Sequence, residues 1–406
     1  MKFETYKIAD LIDEISMGPF GSNIKVECFV DDGIPVLNGS NLDGIALSEN
    51  SFRYVTEEKA DSLGKANASR GDVVITHRGT LGQISFIPQN SKYSRYVISQ
   101  SQFRVKCNEK LMPEYLVYYF HTRVGQHKLL ANASQVGVPA LARASTTFQT
   151  IEIEIPPIEE QRKIVGILET IREKIELNNA INNNLYQILA ASYKHDYLDS
   201  IMSDYQEVTL DDVTSKIATG LNPRKNFVLG QGSNYYVTIK NMGDNRIYLD
   251  DKCDSIDDDA LIKINKRSDL VVGDCLFSGI GTIGRVHLID TPPTNWNISE
   301  SVFTLRAATS VSPEFLYLLL LSDDMQGYAN ALASGSAQKG IRMADLKKYP
   351  LFLPNSERMA QLTSYWQPMI QEIKTNEREN DQLSSISSSL LPKLLTGDLD
   401  VSKVEI

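Results

Sequence analysis

The sequence predicts an α+β protein made of two tandem copies of one unit, a sheet-rich domain followed by a long helix. Three observations predict it. The chain matches itself at an offset near 200 residues. The front of each copy is a series of short β-prone runs broken by Gly, Asn and Asp, and after a proline each copy switches to helical, heptad-spaced apolar residues. A length of 406 residues also calls for more than one core.

The repeat is ordered. At offset 200, Pro113-Glu114-Tyr115-Leu116 meets Pro313-Glu314-Phe315-Leu316, and Ile98-Ser99-Gln100-Ser101 meets Ile298-Ser299-Glu300-Ser301. At offset 202, Gly79-Thr80-Leu81-Gly82 meets Gly281-Thr282-Ile283-Gly284; at offset 198, Ile155-Pro156 meets Leu353-Pro354. An offset that drifts by so few residues while order is kept marks duplication rather than chance. The boundaries that follow are 1–157 and 203–355 for the sheet-rich domains, with 158–202 and 356–406 for the helices and tail.

Within the first domain, Val73-Val74-Ile75-Thr76 and Phe103-Arg104-Val105 read as strands, and in the second Val271-Val272 and Cys275-Leu276-Phe277 do. Helical spacing runs from Pro113 to about Leu130. Strands and helices do not alternate regularly, which favours α+β over a doubly wound sheet. From about Glu159 to Leu198 there is no proline and one glycine. Ile164, Ile171, Asn178 and Leu185 lie seven apart, with Ile167, Ile181 and Ile188 as a second row interrupted by Lys174. Leu362, Met369, Asn376 and Leu383 repeat the first row. Asn178 and Asn376 therefore match, as do Asn182 and Asn380, and a polar residue in a helix seam costs stability but fixes register. Each helix is about 60 Å long at ~1.5 Å per residue, and the two are expected to pack on one another.

Composition sets limits. The chain is 42% hydrophobic and 23% charged with a net charge of −10, the profile of a soluble globular protein. No apolar run is long enough to cross a bilayer, and the N-terminus lacks a signal-peptide core, so a cytoplasmic location is expected. Cys28, Cys107, Cys253 and Cys275 form no CxxC pair, which argues against a zinc site or a disulfide framework. Residues 1–157 hold 16 Lys/Arg against 17 Asp/Glu, and residues 203–355 hold 15 against 19. Nucleic-acid binders usually carry a basic footprint, so any such contact here must come from local basic loops. The acidic total also leaves open a scaffold with two protein-binding heads on a coiled coil.

Enzyme signatures are missing. There is no GxxxxGK[ST] loop, no GxSxG, no HExxH and no glycine-rich methyltransferase loop, and Thr291-Pro292-Pro293-Thr294 reads as a turn. His121 and His127 are six apart and share no helix face. Asp250-Asp251 and Asp257-Asp258-Asp259 lack the spacing and glycine of a calcium loop and read as a solvated face. No catalytic residue, metal or cofactor is expected.

Taken together, Gly18-Pro19-Phe20-Gly21-Ser22-Asn23-Ile24-Lys25, Pro35 through Leu42, Gly71-Asp72 through Gly82, Ile155-Pro156-Pro157-Ile158-Glu159-Glu160-Gln161-Arg162-Lys163-Ile164 and Leu390-Leu391-Pro392-Lys393-Leu394-Leu395-Thr396-Gly397-Asp398-Leu399 resemble the specificity subunit of Type I restriction–modification systems. The resemblance covers essentially the whole chain. It implies two target-recognition domains, each reading one half of a split site in double-stranded DNA, held apart by an antiparallel coiled coil with pseudo-twofold symmetry. It also implies DNA adenine methyltransferase subunits and motor-nuclease restriction subunits as partners. The second copy departs at Glu357-Arg358-Met359 and at Asn222-Pro223-Arg224-Lys225, which fits different half-sites.

On that reading the candidate DNA contacts are polar and basic side chains in glycine or small-residue loops, the types that reach phosphates and base edges. In the first domain these are Lys25, Asn38, Ser40, Asn41, His77, Arg78, Thr80, Gln135 and Arg143. In the second they are Arg224, Lys225, Thr238, Lys240, Asn241, Ser278, Thr282, Gln338, Lys339 and Arg342. Arg78 is the strongest single candidate, and its counterpart loop Ser278-Gly279-Ile280-Gly281-Thr282 has no arginine. Tyr186, Tyr193 and Tyr197 on the first helix and Tyr365 and Trp366 on the second are candidate partner anchors, the aromatic type that dominates interface energies.

Overall fold

The computed structural model describes residues 2–19, 23–134, 138–201, 205–243, 245–335 and 339–402. The chain divides into two compact units, Met1–Glu176 with Asn380–Ile406 and Leu177–Glu379, so the boundary falls inside both long helices. In each unit the first and last strands of the sheet-rich segment pair with one another. Glu4–Lys7 runs antiparallel to Glu152–Ile155, and Gln206–Thr209 antiparallel to Pro350–Leu353. The sequence Glu152-Ile153-Glu154-Ile155 alternates exposed and buried along its strand, as a two-residue period requires.

The main sheet of the first unit is four-stranded and antiparallel, in the order Ile12–Met17, Gln102–Cys107, Val73–Thr76, Ile84–Phe86. The second unit repeats it with Thr214–Thr219, Val302–Ala307, Cys275–Ser278 and Val286–Leu288. Val73–Thr76 and Cys275–Ser278 are buried throughout. Val73 and Ile75 join one cluster with the helices while Val74 joins another with Leu37, Leu42 and Ile98. Cys275, Phe277 and Leu276 divide in the same way. A strand that must be apolar on both faces reads as a continuous apolar run rather than an alternating one. A second, mixed sheet lies beyond the second cluster, five-stranded around Ile34–Val36 and Arg95–Val97 in one unit and three-stranded around Asn234–Val237 and Trp296–Ile298 in the other.

The helical stretch after Pro113 is two helices, Pro113–His121 and Arg123–Leu130, broken where Thr122 turns extended and its hydroxyl accepts from Gly125 N at 3.0 Å. Pro313–Leu321 and Asp323–Ala331 break in the same way at Ser322. A capping hydroxyl competes with helix continuation, which apolar spacing alone does not register. Asp257 is likewise a cap, accepting from Ala260 N at 2.8 Å at the head of Asp258–Ser268, so that acidic run opens a helix instead of lying in a loop.

The long helices are Ile158–Ser192 and Ser356–Thr396. Ile164 and Leu168 pack with Leu394 and Leu395 in the first unit, and Leu189 packs with Leu362, Trp366 and Ile373 in the second. Within the second unit Asn182 Oδ1 accepts from Asn376 Nδ2 at 2.9 Å, Asn178 Nδ2 donates to Glu379 Oε2 at 2.7 Å, and Trp366 Nε1 donates to Ser192 Oγ at 2.9 Å. Numbers rise on one helix as they fall on the other, so these segments run antiparallel.

The second seam row differs from the expected one. Ile181 and Ile188 are 36% and 46% exposed, whereas Leu168, Asn182 and Leu189 are buried. Residues three and four along a helix lie on either side of the same face. Both choices carry apolar residues here, and only the neighbouring helix selects the four-residue step.

Replacing Asn376 by Leu strips Asn182 Oδ1 of its donor, and a buried acceptor left unpaired costs about 1–3 kcal/mol. Denaturant unfolding is expected to show that loss in N376L and its recovery in the N182L/N376L double variant. Additive losses would sink the pairing.

Candidate nucleic-acid interface

In the first unit four loops converge at one end of the main sheet. The hairpin between Val73–Thr76 and Ile84–Phe86 closes its ladder at Thr76 N to Gln83 O, 3.0 Å. Beyond that point Gly79 N donates to Pro139 O and Leu141 N to His77 O, so the small-residue segment near Ala140 lies along the hairpin. His77 N donates to Ser101 O, which brings in the loop before Gln102–Cys107. Gln83 Nε2 donates to Gly39 O at 2.9 Å and to Asp43 Oδ1 at 2.8 Å, adding the turn Gly39–Asn41.

The second unit assembles the same four pieces. Gly281 N donates to Lys339 O and Ile341 N to Gly279 O, while Gly279 N donates to Ser301 O. Arg285, which takes the place of Gln83, donates through Nη1 to Ile239 O at 2.7 Å and to Met242 O. Arg78 and Ile280 stand at equivalent points, each bridged to the facing segment, at Ala140 and Gly340.

Arg78, Thr80, Asn38, Ser40 and Arg143 are exposed at this end of the first unit, as are Lys240, Thr282, Lys339 and Arg342 in the second. Among the described residues Arg78, Arg143, Lys240, Lys339 and Arg342 make no ion pair. Such cations are available to an anionic partner without first losing a carboxylate. Arg143 holds a left-handed backbone, φ 47°, at the start of Ala144–Thr150. His77 is half-buried, with Nε2 3.1 Å from Gln100 O, and burial lowers its pKa below the usual histidine value. Gln135 and Gln338 lie outside the described residues.

Three expected base readers are structural instead. Asn41 is buried; its Oδ1 accepts from Asn38 N at 3.0 Å and its Nδ2 donates to Ser48 O and Asn50 O, both at 2.9 Å. Asn241 accepts from Thr238 N at 3.0 Å and from Thr238 Oγ1 at 3.1 Å. Ser278 Oγ donates to Thr282 O at 2.6 Å and accepts from Arg285 N at 2.8 Å. Asn41 and Ser278 are saturated by their own loops, and the Asn241 carboxamide oxygen is held by Thr238. Asn38 and half-buried Thr238 belong to the same capping boxes, with Asn38 Oδ1 accepting from Ser40 N and Thr238 Oγ1 from Lys240 N.

Lys25, Arg224 and Lys225 sit elsewhere. They are exposed on segments packed beside the second, mixed sheet, where Ile24 and Phe29 join Val36 and Val55, and Leu221 and Phe227 join Tyr236 and Ile264. Glycine is required where these segments leave the main sheet, because a Cβ at Gly18 or Gly220 would overlap the carbonyl of Ser99 or Ile298.

A family model described as the type I restriction modification DNA specificity domain matches twice, at residues 2–187 and 202–385. The chain belongs to that family. The specificity subunit of the type I restriction enzyme MjaVIII from Methanocaldococcus jannaschii is 22% identical over 329 residues, 76% of this chain and 75% of its relative. That of HindI from Haemophilus influenzae is 22% identical over 414 residues, 82% of this chain and 88% of the other. The type I S subunit from M. genitalium superposes with a TM-score of 0.62 at 15% identity, covering 97% of this chain and 96% of that one, a likeness of fold. A specificity subunit is the non-catalytic component of its restriction–modification enzyme, and DNA target recognition is the role of this family.

For this specificity-family chain, the expected partner anchors divide. Tyr193, Tyr197 and Trp366 are buried at 3%, 1% and 0% exposure and pack with Phe315 and Tyr205, ring centroids 5.0 Å apart between Tyr197 and Phe315. They belong to the core of the second unit, since their helix positions fall on the buried seam. Tyr365 is 55% exposed. Tyr186 is half-buried, with its hydroxyl 3.1 Å from that of Tyr317, and lines a groove with Leu189, Asn245 and Leu318. Ser384, Ser387, Ile45 and Tyr118 line the equivalent groove of the first unit. The sequence reading missed Gln83, Arg285, Gln126 and Gln326, which hold the hairpins. The last two are identical at offset 200, a signal the repeat itself carried. No described helix is long and apolar enough to cross a membrane.

Trp366→Ala is expected to destabilise the second unit by about 3–5 kcal/mol in a denaturant titration. Tyr365→Ala is expected to shift it by less than about 0.5 kcal/mol. The reverse order would return Trp366 to the surface.

Proposed function

We propose that residues 1–157 and 203–355 are two target-recognition domains that each read one half of a split site in double-stranded DNA. On this reading the helices within 158–202 and 356–406 form an antiparallel coiled-coil spacer that sets the distance between the halves, and the chain directs DNA adenine methyltransferase subunits and motor-nuclease restriction subunits to the site. One observation carries it. The same loop-bearing end of a sheet is built twice, with matching mounts and different side chains at the tip: Arg78 opposite Ile280, and Asn38-Gly39-Ser40 opposite Thr238-Ile239-Lys240. Equal scaffolds with unequal tips suit two different half-sites read in a common geometry.

The charge balance agrees with binding in company. Each domain is near neutral or acidic as a whole while its converging loops carry unpaired cations, so the phosphate term available to the chain alone is small. Partner subunits would supply the remainder. Equivalent grooves at Tyr186, Leu189 and Asn245 in one unit and at Ser384, Ser387 and Ile45 in the other offer two matching seats for one kind of partner.

The test is single-molecule methylation mapping of the source genome with the gene intact and deleted. Loss of N6-methyladenine at one split motif on deletion is the expected outcome, and it reads out both halves and the gap between them. An unchanged methylation map would remove the proposal. With the motif known, Arg78→Ala is expected to weaken specific binding by about 1–3 kcal/mol in a fluorescence titration, the worth of one base contact. Wild-type affinity and preference would take Arg78 off the list.

A further inference from the structure

Gln126 and Gln326 make the same pair of bonds in the two units. Gln126 Nε2 donates to Gly82 O at 2.9 Å and to Phe120 O at 2.8 Å. Gln326 Nε2 donates to Gly284 O at 2.9 Å and to Leu320 O at 2.7 Å. Each glutamine lies on the first turn of the helix that begins after the capping Thr122 or Ser322. The Phe120 and Leu320 carbonyls stand at the end of the preceding helix, where the last four carbonyls lack intrahelical donors. One hydrogen of each amide satisfies that helix end, and the other reaches across to the hairpin.

The hairpin is shaped to receive it. Gly82 and Gly284 have φ of +91° and +90°, and a Cβ on either would overlap the carboxamide oxygen of its glutamine. The regular ladder ends just before, at Thr76 N to Gln83 O and Ser278 N to Arg285 O. Residues 77–82 and 279–284 extend past the sheet, where backbone bonds such as Gly79 N to Pro139 O and Gly281 N to Lys339 O tie their tips to the facing loops. On one side Gln83 or Arg285 binds the capping-box turn, and on the other Gln126 or Gln326 binds the helix pair. Arg78 and Thr80, or Ile280 and Thr282, stand between the two clamps.

A side chain reads a base edge only when its backbone is held to within about 0.5 Å. We propose that Gln126 and Gln326 are positioning residues that hold the two glycine hairpins in reading geometry, each acting on one half of the target and not on the other. This rests on the hairpins being the DNA-reading elements. The donor count is the chemical requirement, because two carbonyls must be served by one planar nitrogen. Glutamate matches glutamine in shape but presents an acceptor to both carbonyls, and methionine matches it in length without any donor.

The experiment uses the full chain assembled with its methyltransferase subunits and duplexes carrying the mapped split motif, intact or with one half or both scrambled. Q126E is expected to lower affinity for the intact motif about tenfold, within the range of one base contact. Its remaining preference should be for the half that Q326E loses, and the reverse for Q326E. Binding to the doubly scrambled duplex should stay unchanged in both. Hydrogen exchange should quicken in the hairpin of the altered unit while Val73–Thr76 or Cys275–Ser278 stays protected. Q126M and Q326M serve if a glutamate variant fails to assemble, and they should behave alike. Wild type showing no preference between intact and scrambled duplexes overturns the DNA reading itself. Wild-type preference retained in the variants overturns only the positioning role, as does a loss at both halves from either single change.

Discussion

A sheet buried on both faces is the constraint from which the rest of each unit follows. Val73 and Ile75 point into one cluster and Val74 into another, so a slip of one residue would exchange the two sets. A polar interaction guards the same register. Arg104 meets Asp72 at 3.3 Å and Glu14 at 2.8 Å across the neighbouring strands, and Arg306 grips Asp274 at 2.7 and 2.9 Å in the second unit. Removing one member of such a buried pair strands the other, which is why they favour a single pairing. With register fixed, the hairpin after Val73–Thr76 or Cys275–Ser278 leaves the sheet at a defined place, and the other three loops meet it there.

The hairpin end separates mount from message. Its mounts are glycines, capping boxes and the amides of Gln126 and Gln326, which recur in both units, with Gln83 in one replaced by Arg285 in the other. The tips that remain free differ between units. On the proposed reading, a fold duplicated in this way changes what it reads by substitution at Arg78, Ser40 or their counterparts without disturbing Asn41, Gln83 or Gln126. That division also accounts for a chain of net charge −10 serving a DNA-recognition family. On the proposed reading the cations that meet DNA are few and local, Arg78, Arg143, Lys240, Lys339 and Arg342.

The helices add a second constraint. Their seam is mixed rather than uniformly apolar, with Asn182 bonded to Asn376 at its centre in the second unit. An all-leucine seam would hold more tightly, but it would tolerate shifts of a whole heptad; paired amides do not. The aromatic group of Tyr193, Tyr197, Phe315 and Trp366 then ties the helices to the sheet-rich part of their own unit.

Much of this was written in the sequence. The duplication, the α+β composition of each copy, the proline-led switch to long helices and the matched asparagines all follow from local pattern, because repeats, turn residues and heptads are properties of neighbouring residues. The loops that converge at one end of the main sheet were legible as glycine-rich or small-residue segments carrying polar side chains. Tertiary structure decided what those side chains do. Asn41, Asn241 and Ser278 look like readers in sequence and are spent on their own turns, since a hydrogen-bond partner several residues away leaves no local signature. Trp366, Tyr193 and Tyr197 look like anchors and are core, because which of two adjacent helix rows is buried depends on the helix opposite. Gln126 reaches Gly82 across 44 residues of chain, a distance no periodicity encodes. The sequence alone determined the parts and their order; the packing of distant segments determined which polar atoms were spent inside the protein and which were left exposed.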